Sequence, residues 1–252
     1  MVGRMRRWVM VALLASGCGR FGFTDDPALH DGASGGDSDA MRDGSTMQMD
    51  APIDAAGAAV SFGERTGSQH TGVTTDTWLS STSQAANYGG DDNFSVSPVN
   101  VGLLRFDVSA IAPSTPIVAA ELHIKTEDFG LASGSVQVFQ VLQAWTEGTG
   151  QGASGVANYT QRMSATSWAN AGAGTPGSRS STMLAQFVPA AISTDYTVTF
   201  NAAGVAMVQS WVDTPSSNAG MAFVVTSGGG NVNFQSREAG ANSAPLLVIT
   251  TQ

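Results

Sequence analysis

From Val60 to the C-terminus the sequence is a series of short apolar runs separated by Gly, Pro, Asn and Ser, and the runs alternate with a period of two. The clearest is 117–126, where Ala120, Leu122 and Ile124 fall on one side and Glu121, His123 and Lys125 on the other. Side chains alternate across a strand, so such a run has one buried and one wet face. The same texture recurs at 75–80, 93–97, 101–108, 135–142, 184–189, 196–200, 220–226, 231–236 and 246–251. Many short strands at close spacing predict an all-β, jelly-roll-like sandwich. One segment departs from the two-residue period. Val205, Val208 and Val212 recur at helical spacing behind Asn201, a favourable N-cap, and Pro215 ends the run. That predicts one short helix bridging two strands.

Ahead of this domain the chain is built differently. Residues 1–7 carry Arg4, Arg6 and Arg7, residues 8–14 are apolar, and the small residues Ala15, Ser16 and Gly17 lead to Cys18. This order resembles a bacterial lipoprotein signal, with 1–17 as the cleaved leader and the Cys18 thiol as the lipidated atom. The blander alternatives are an ordinary cleaved leader or an isolated buried cysteine. The apolar run is shorter than the roughly 20 residues that span a bilayer. Membrane attachment would then be through acyl chains alone, each buried methylene contributing about 0.8 kcal/mol. Gly19 stands where an aspartate would resemble an inner-membrane retention signal, so the expected address is the outer membrane or cell surface.

Residues 18–59 read as a disordered tether. Asp25, Asp26, Asp31, Asp37, Asp39, Asp43, Asp50 and Asp54 lie among Gly, Ser, Ala and Met with no helical or strand period. The run Asp37-x-Asp39 opens like an EF-hand, but Met41, Arg42 and Gln48 fall where an oxygen ligand, the glycine and the closing glutamate belong. Gly32-Ala33-Ser34-Gly35-Gly36 matches a nucleophile elbow in letters only, because that motif needs a strand before it and a helix after it. The folded part is therefore 60–252.

Charge narrows the partners. The chain carries a formal net charge of −9, and nucleic-acid binding depends on Lys and Arg neutralising phosphates. With one cysteine there is no disulfide, so an ordinary hydrophobic core must hold the domain together. His30, His70 and His123 have no transition-metal ligand spacing.

Several motifs in order then point to a family. Asp76-Thr77-Trp78, Asn87-Tyr88-Gly89 and Leu103-Leu104-Arg105-Phe106-Asp107-Val108-Ser109 are followed by Ala119-Ala120-Glu121-Leu122. Trp145-Thr146-Glu147, Ser167-Trp168, Trp211, Asn218-Ala219-Gly220, Phe234-Gln235-Ser236-Arg237-Glu238 and Pro245-Leu246-Leu247-Val248 complete the pattern. The whole resembles the DNRLRE domain, related to disaggregatase repeats and to a carbohydrate-binding module family, over residues 72–251. Residues 149–181 are longer than those motifs need and read as a variable loop. The resemblance implies a β-sandwich that accompanies secreted polysaccharide-active enzymes or surface proteins, with polysaccharide as its partner. Some relatives resemble binders of acidic polysaccharides through basic residues. Here Arg65, Arg105, Lys125, Arg162, Arg179 and Arg237 are the domain's only cations, which favours neutral glycans.

Individual residues divide between packing and binding. Trp78, Trp145 and Trp211 lie in framework motifs and read as core. Trp168, Tyr88 and Tyr159 lie nearer Gly- and Asn-rich loops and are the candidates to stack on a sugar ring. Arg105 and Asp107, two apart, predict an ion pair on one face, and Arg237 with Glu238 a structural pair at the end of the sheet. Asp91, Asp92 and Asn93 form an oxygen-rich loop that could hold a structural calcium, an ion that takes about six to eight oxygens; a solvated turn is the plain alternative. A glycosidase would need two carboxylates roughly 5–10 Å apart, for which Glu121, Glu127, Asp128 and Glu147 are the candidates. The reading favoured is a non-catalytic, surface-anchored lipoprotein that binds carbohydrate. The alternatives are a structural or adhesive envelope protein without a sugar site, and a polysaccharide-cleaving enzyme.

Overall fold

The computed structural model describes residues 57–127, 134–225 and 230–252. Cys18, the leader, the tether up to residue 56 and Asp128 lie outside the described residues. Thirteen strands and one α-helix are described: β1 (Ala59–Gly63), β2 (Thr74–Ser80), β3 (Asn93–Val96), β4 (Asn100–Phe106), β5 (Ile117–Lys125), β6 (Val136–Val141), β7 (Gln161–Met163), β8 (Thr166–Ser167), β9 (Arg179–Phe187), β10 (Asp195–Thr199), α1 (Ala202–Asp213), β11 (Met221–Val225), β12 (Val232–Gln235) and β13 (Leu246–Thr251).

Two antiparallel sheets face each other, one ordered β1-β13-β5-β10 and the other β2-β4-β11-β6-β9. The chain crosses between them repeatedly, as in a jelly roll, so neighbours in a sheet are distant in sequence. Alternation sets the register. Phe62, Leu247, Leu122 and Val198 pair in one row across the first sheet, all pointing inward, while Ser61, Val248, Glu121 and Thr199 form the row beside them on the outer face. From the second sheet Leu104, Phe106, Phe223, Val136 and Val138 meet them in one core. A ribbon of β3 and β12 adds Phe94, Val96, Val232 and Phe234 to the same core.

The helix follows its sequence signals. The Asn201 side chain accepts the Gly204 N–H at 3.0 Å, satisfying one of the first-turn donors that a helix leaves open. Met207, Val208, Trp211 and Val212 face the core, and α1 joins β10 to β11 as expected. Pro215 follows the helix and begins a single 3-10 turn, Pro215–Ser217.

All ten expected strands are present, with small shifts at their ends. Three others were not foreseen. β1 is a five-residue edge strand, and β7 and β8 are shorter still. β9 starts five residues before the expected 184, in the polar run Arg179–Met183 that shows no alternation.

The largest correction concerns 149–181, which is not all loop but holds β7, β8 and the start of β9. Residues from the 142–178 stretch fold over the outer face of the second sheet. Trp145, Ala157, Trp168 and Ala173 pack on Leu79, Leu103, Val141 and Ala222 there, making a second core. Leu103 and Leu104 are both fully buried although they point to opposite faces of β4. A sheet covered on both sides reads as a continuous apolar run, and Met221-Ala222-Phe223 in β11 has the same character.

Candidate functional site

Four of the sequence motifs, those holding Asp76, Asn87, Glu147 and Arg237, meet at the free edge of β2, which pairs only with β4. An edge strand presents unpaired backbone groups, and here side chains take them. Glu64 accepts the N–H groups of Gly72, Val73 and Thr74. Glu147 Oε1 accepts the Asp76 N–H at 2.6 Å, and Arg237 Nη1 donates to the Thr74 carbonyl at 3.2 Å. In return the Arg237 backbone N–H donates to Asp76 Oδ2 at 2.9 Å. The Arg237 guanidinium pairs with Glu147 Oε2 at 2.9 Å and with Glu238 Oε1 at 2.6 Å.

Four charged side chains thus share one small volume, and their electrostatics follow. Asp76 is 1 % exposed, and burial, then Glu238 and Glu147, push its carboxyl well above the ordinary range against the Arg237 N–H and charge. Burial also pushes Glu147 up to about 7, with Glu238 adding to it, while the Asp76 N–H, Arg237 and Arg105 pull it down. Glu64 goes the other way. Burial raises it, but its backbone donors outweigh that and leave it below the usual carboxylate value.

Asn87 fixes the covering segment onto this edge. Buried to 1 % exposure, its Nδ2 donates to the carbonyls of Glu147 (2.6 Å) and Ala157 (2.8 Å), and its Oδ1 accepts the Gly150 N–H at 2.7 Å. An amide has two donors and an acceptor with two lone pairs, and nearly all are used. Gly148 has φ +76 and lies so close to Asn87 and the Val156 carbonyl that a Cβ has no room.

Beside the network lies an open cleft of about 460 Å³, lined by Thr75, Arg105, Asp107, Ser109, Asn218 and Arg237 among others. Its lining is mostly polar, with Val73 and Pro215 as apolar members. The expected Arg105–Asp107 pair is replaced by other contacts. Arg105 lies over the Trp145 ring at 5.3 Å and donates to Thr75 Oγ1 at 3.3 Å, while Asp107, beyond the end of β4, accepts the Ser109 N–H on Oδ1 at 2.9 Å. Asn218 is held by the Phe106 carbonyl and the Gly220 N–H. Arg105 and the exposed Asp107 thus offer donors and acceptors to a polar ligand in the cleft.

The aromatics named from sequence lie elsewhere. Trp168 is 5 % exposed in the second core, its indole N–H donating to the Asn158 carbonyl at 2.9 Å. A ring so buried has no face for a sugar, which corrects the expectation for Trp168. Tyr88 stacks on Trp78 with ring centroids 3.6 Å apart, and Tyr159 packs against the second core; both are partly exposed. Trp145 and Trp211 are buried as expected. In the 91–93 loop the oxygens meet protein donors: Asp91 Oδ2 accepts from the Trp78 indole, Asp92 Oδ1 from the Asn93 amide, and the carbonyls of Asp91 and Asp92 from Ser236. That set acts as a turn anchoring Ser236. Among the described residues no cluster of three His, Cys, Asp or Glu side chains has a metal-holding arrangement. Of the carboxylates considered for catalysis, Glu121 and Glu127 lie on or just after β5, whereas Glu147 belongs to the β2 edge. Sequence reasoning named Asp107, Asn218 and Arg237 within motifs but gave them no shared site.

The motif residues thus build the frame, and the cleft is what the frame leaves open. No curated protein matches the chain. The family model of carbohydrate-binding module family 96 matches residues 68–251, most of the chain and nearly all of the sandwich. The chain belongs to carbohydrate-binding module family 96.

Proposed function

We propose that this chain is a non-catalytic, surface-anchored carbohydrate-binding lipoprotein. In this reading a lipid on Cys18 holds it at the outer membrane, the tether 18–59 gives it reach, and the sandwich binds polysaccharide in the cleft beside Arg105 and Asp107. The observation that carries the binding site is the cleft itself, an open, polar-lined volume of about 460 Å³ in a carbohydrate-binding module. Its donors and acceptors suit sugar hydroxyls. Neutral glycans are the favoured class, because Asp76, Asp107, Glu147 and Glu238 surround only two guanidinium groups, Arg105 and Arg237. The absence of catalysis is supported by the use of the nearby carboxylates: Asp76 and Glu147 accept backbone N–H groups, and Glu147 and Glu238 pair with Arg237. Tyr88 and Tyr159 are the aromatic contacts this reading retains.

Few hydrogen bonds in an open cleft imply weak affinity, in the micromolar to millimolar range, roughly −8 to −4 kcal/mol. Affinity electrophoresis of the full chain in hydroxyethyl cellulose, other neutral polymers and polygalacturonate tests the reading. Retardation by a neutral polymer that Asp107→Ala abolishes supports the cleft. Binding that survives Asp107→Ala moves the site elsewhere, and no retardation by any glycan favours the adhesive-envelope alternative. Labelling with a palmitate analogue in a bacterial host tests the anchor: wild type is marked and Cys18→Ser is not, whereas equal labelling ends the idea.

A further inference from the structure

Arg237 belongs to two places at once. The residue lines the cleft, and its guanidinium is engaged by Glu147, Glu238 and the Thr74 carbonyl. Three carboxylates, those of Asp76, Glu147 and Glu238, gather around this one cation, with Arg105 as the next nearest positive charge. Asp91 and Asp92 add negative charge on the Glu238 side, and Asp107 on the Arg105 side. Such an excess of carboxylates favours uptake of a proton, since like charges held close cannot all ionise cheaply. Glu147 is the carboxylate that joins the cluster to the cation of the cleft, being paired with Arg237 at 2.9 Å while only 13 % of its side chain is exposed.

We propose that Glu147 is a proton-operated switch on the charge of the cleft. Ionised, Glu147 holds Arg237 in an ion pair and the cleft takes neutral sugars. Protonated, it loosens its hold, and Arg237 turns its donors to an anionic group in the cleft. This rests on reading the cleft as the glycan site. The environment of Glu147 sets the switching range: burial pushes it up to about 7, and Asp76 shifts upward beside it. The separate contact of Arg237 Nε with Glu238 Oε1, at 2.6 Å, ties the arginine to its turn.

The test compares polygalacturonate with hydroxyethyl cellulose on the full chain at about pH 5.5 and pH 8. The expected result is a preference for the acidic polymer that rises about 10-fold at the lower pH, or about 1.4 kcal/mol. Glu147→Gln fixes the neutral form and removes that step while general charge effects persist. An equal preference at both pH values, or an unchanged step in Glu147→Gln, overturns the switch. A carboxyl-carbon NMR titration of the same protein separates the switch from the ligand reading. If neither polymer binds, a Glu147 midpoint near neutrality that the Arg237 Nε–H resonance follows upholds the switch and rejects the glycan site. A Glu147 midpoint below about pH 5 overturns the switch whatever binds.

Discussion

The two faces of the β2-β4-β11-β6-β9 sheet are buried by different means. The inner face meets a second sheet and a helix through large side chains, Phe106, Phe223, Phe234, Leu122 and Trp211, in one continuous core. The outer face is covered by the mostly irregular 142–178 stretch, whose contacts are two tryptophans, two alanines and the partly buried Tyr159. Polar groups inside that cover are joined by specific hydrogen bonds, from Asn87, from Asn158 and from the Trp145 and Trp168 indoles. Apolar packing is tolerant of direction, whereas buried amides fail when one partner is lost. The inner face should therefore respond to lost volume with global unfolding, and the outer face to a lost hydrogen bond with local release.

The largest effect is expected at the inner face. Trp211 is fully buried, and Trp211→Ala should cost about 4–5 kcal/mol. Chemical denaturation followed by circular dichroism and by tryptophan fluorescence should show both signals moving together. Separate transitions would mean that α1 is not part of the core's cooperative unit.

Asn87→Ala attacks the outer face alone. It strands the Gly150 N–H and the carbonyls of Glu147 and Ala157, and about 1–3 kcal/mol per unsatisfied buried group sets the scale. A loss of about 3 kcal/mol is expected, with partial relief by water once the cover lifts. Limited proteolysis should cut within 142–178 while the β-sheet circular dichroism of the sandwich persists. Loss of both together would erase the distinction between the faces.

What could be read in advance follows the same division. The inner face was legible because alternation in 117–126 and helical spacing at Val205, Val208 and Val212 are local patterns with one meaning each. The outer cover was not. Its Gly- and Ser-rich composition hid the role of Trp168, which read as a loop aromatic. The available signal lay in the sheet instead: Leu103 beside Leu104, and Met221 to Phe223 without a polar break, demand cover on both sides. The cleft was less legible still. Thr75, Arg105 with Asp107, Asn218 and Arg237 come from four separate stretches of chain, and no spacing rule brings those four together. The arginine motif was recognised as a structural pair, and it is one, but Glu147 as its second partner required the fold.

Between the faces stands the β2 edge, and pH can probe it alone. The folded-state values of Glu147 and Asp76 are raised, so their contribution to stability is fully present below the unfolded carboxylate range. For Glu147 it is lost as pH climbs from about 4.5 to about 7, and Asp76 acts with the same sign. The whole rise at Glu147, in which the pull of the nearby arginines is already contained, would correspond to about 3 kcal/mol; solvent contact reduces the expected fall to about 2 kcal/mol. Glu64, shifted downward, acts with the opposite sign and at lower pH, where its stabilisation disappears as it protonates. Melting temperatures across this range should decline for wild type and stay flatter for Glu147→Gln. A rise in stability toward neutral pH would mean that the Arg237 pair outweighs burial.

The smallest effect on stability should come from the cleft, and that is its diagnostic value. Asp107 is exposed, follows the end of β4, and its side chain accepts one hydrogen bond, from the Ser109 N–H. Surface substitutions of this kind shift stability by about 0.5 kcal/mol or less, so Asp107→Ala should melt like wild type. Its effect on a bound neutral glycan is expected to be large by comparison. Removing the exposed acceptor leaves sugar hydroxyls in the cleft without a charged partner, worth about 1.5–3 kcal/mol for a hydrogen bond to an ionised group, or at least about 10-fold in affinity. Calorimetry on wild type and Asp107→Ala at one pH reads both quantities. A stability loss matching that of Asn87→Ala would make Asp107 part of the frame, and unchanged affinity with unchanged stability would take the binding site out of this cleft.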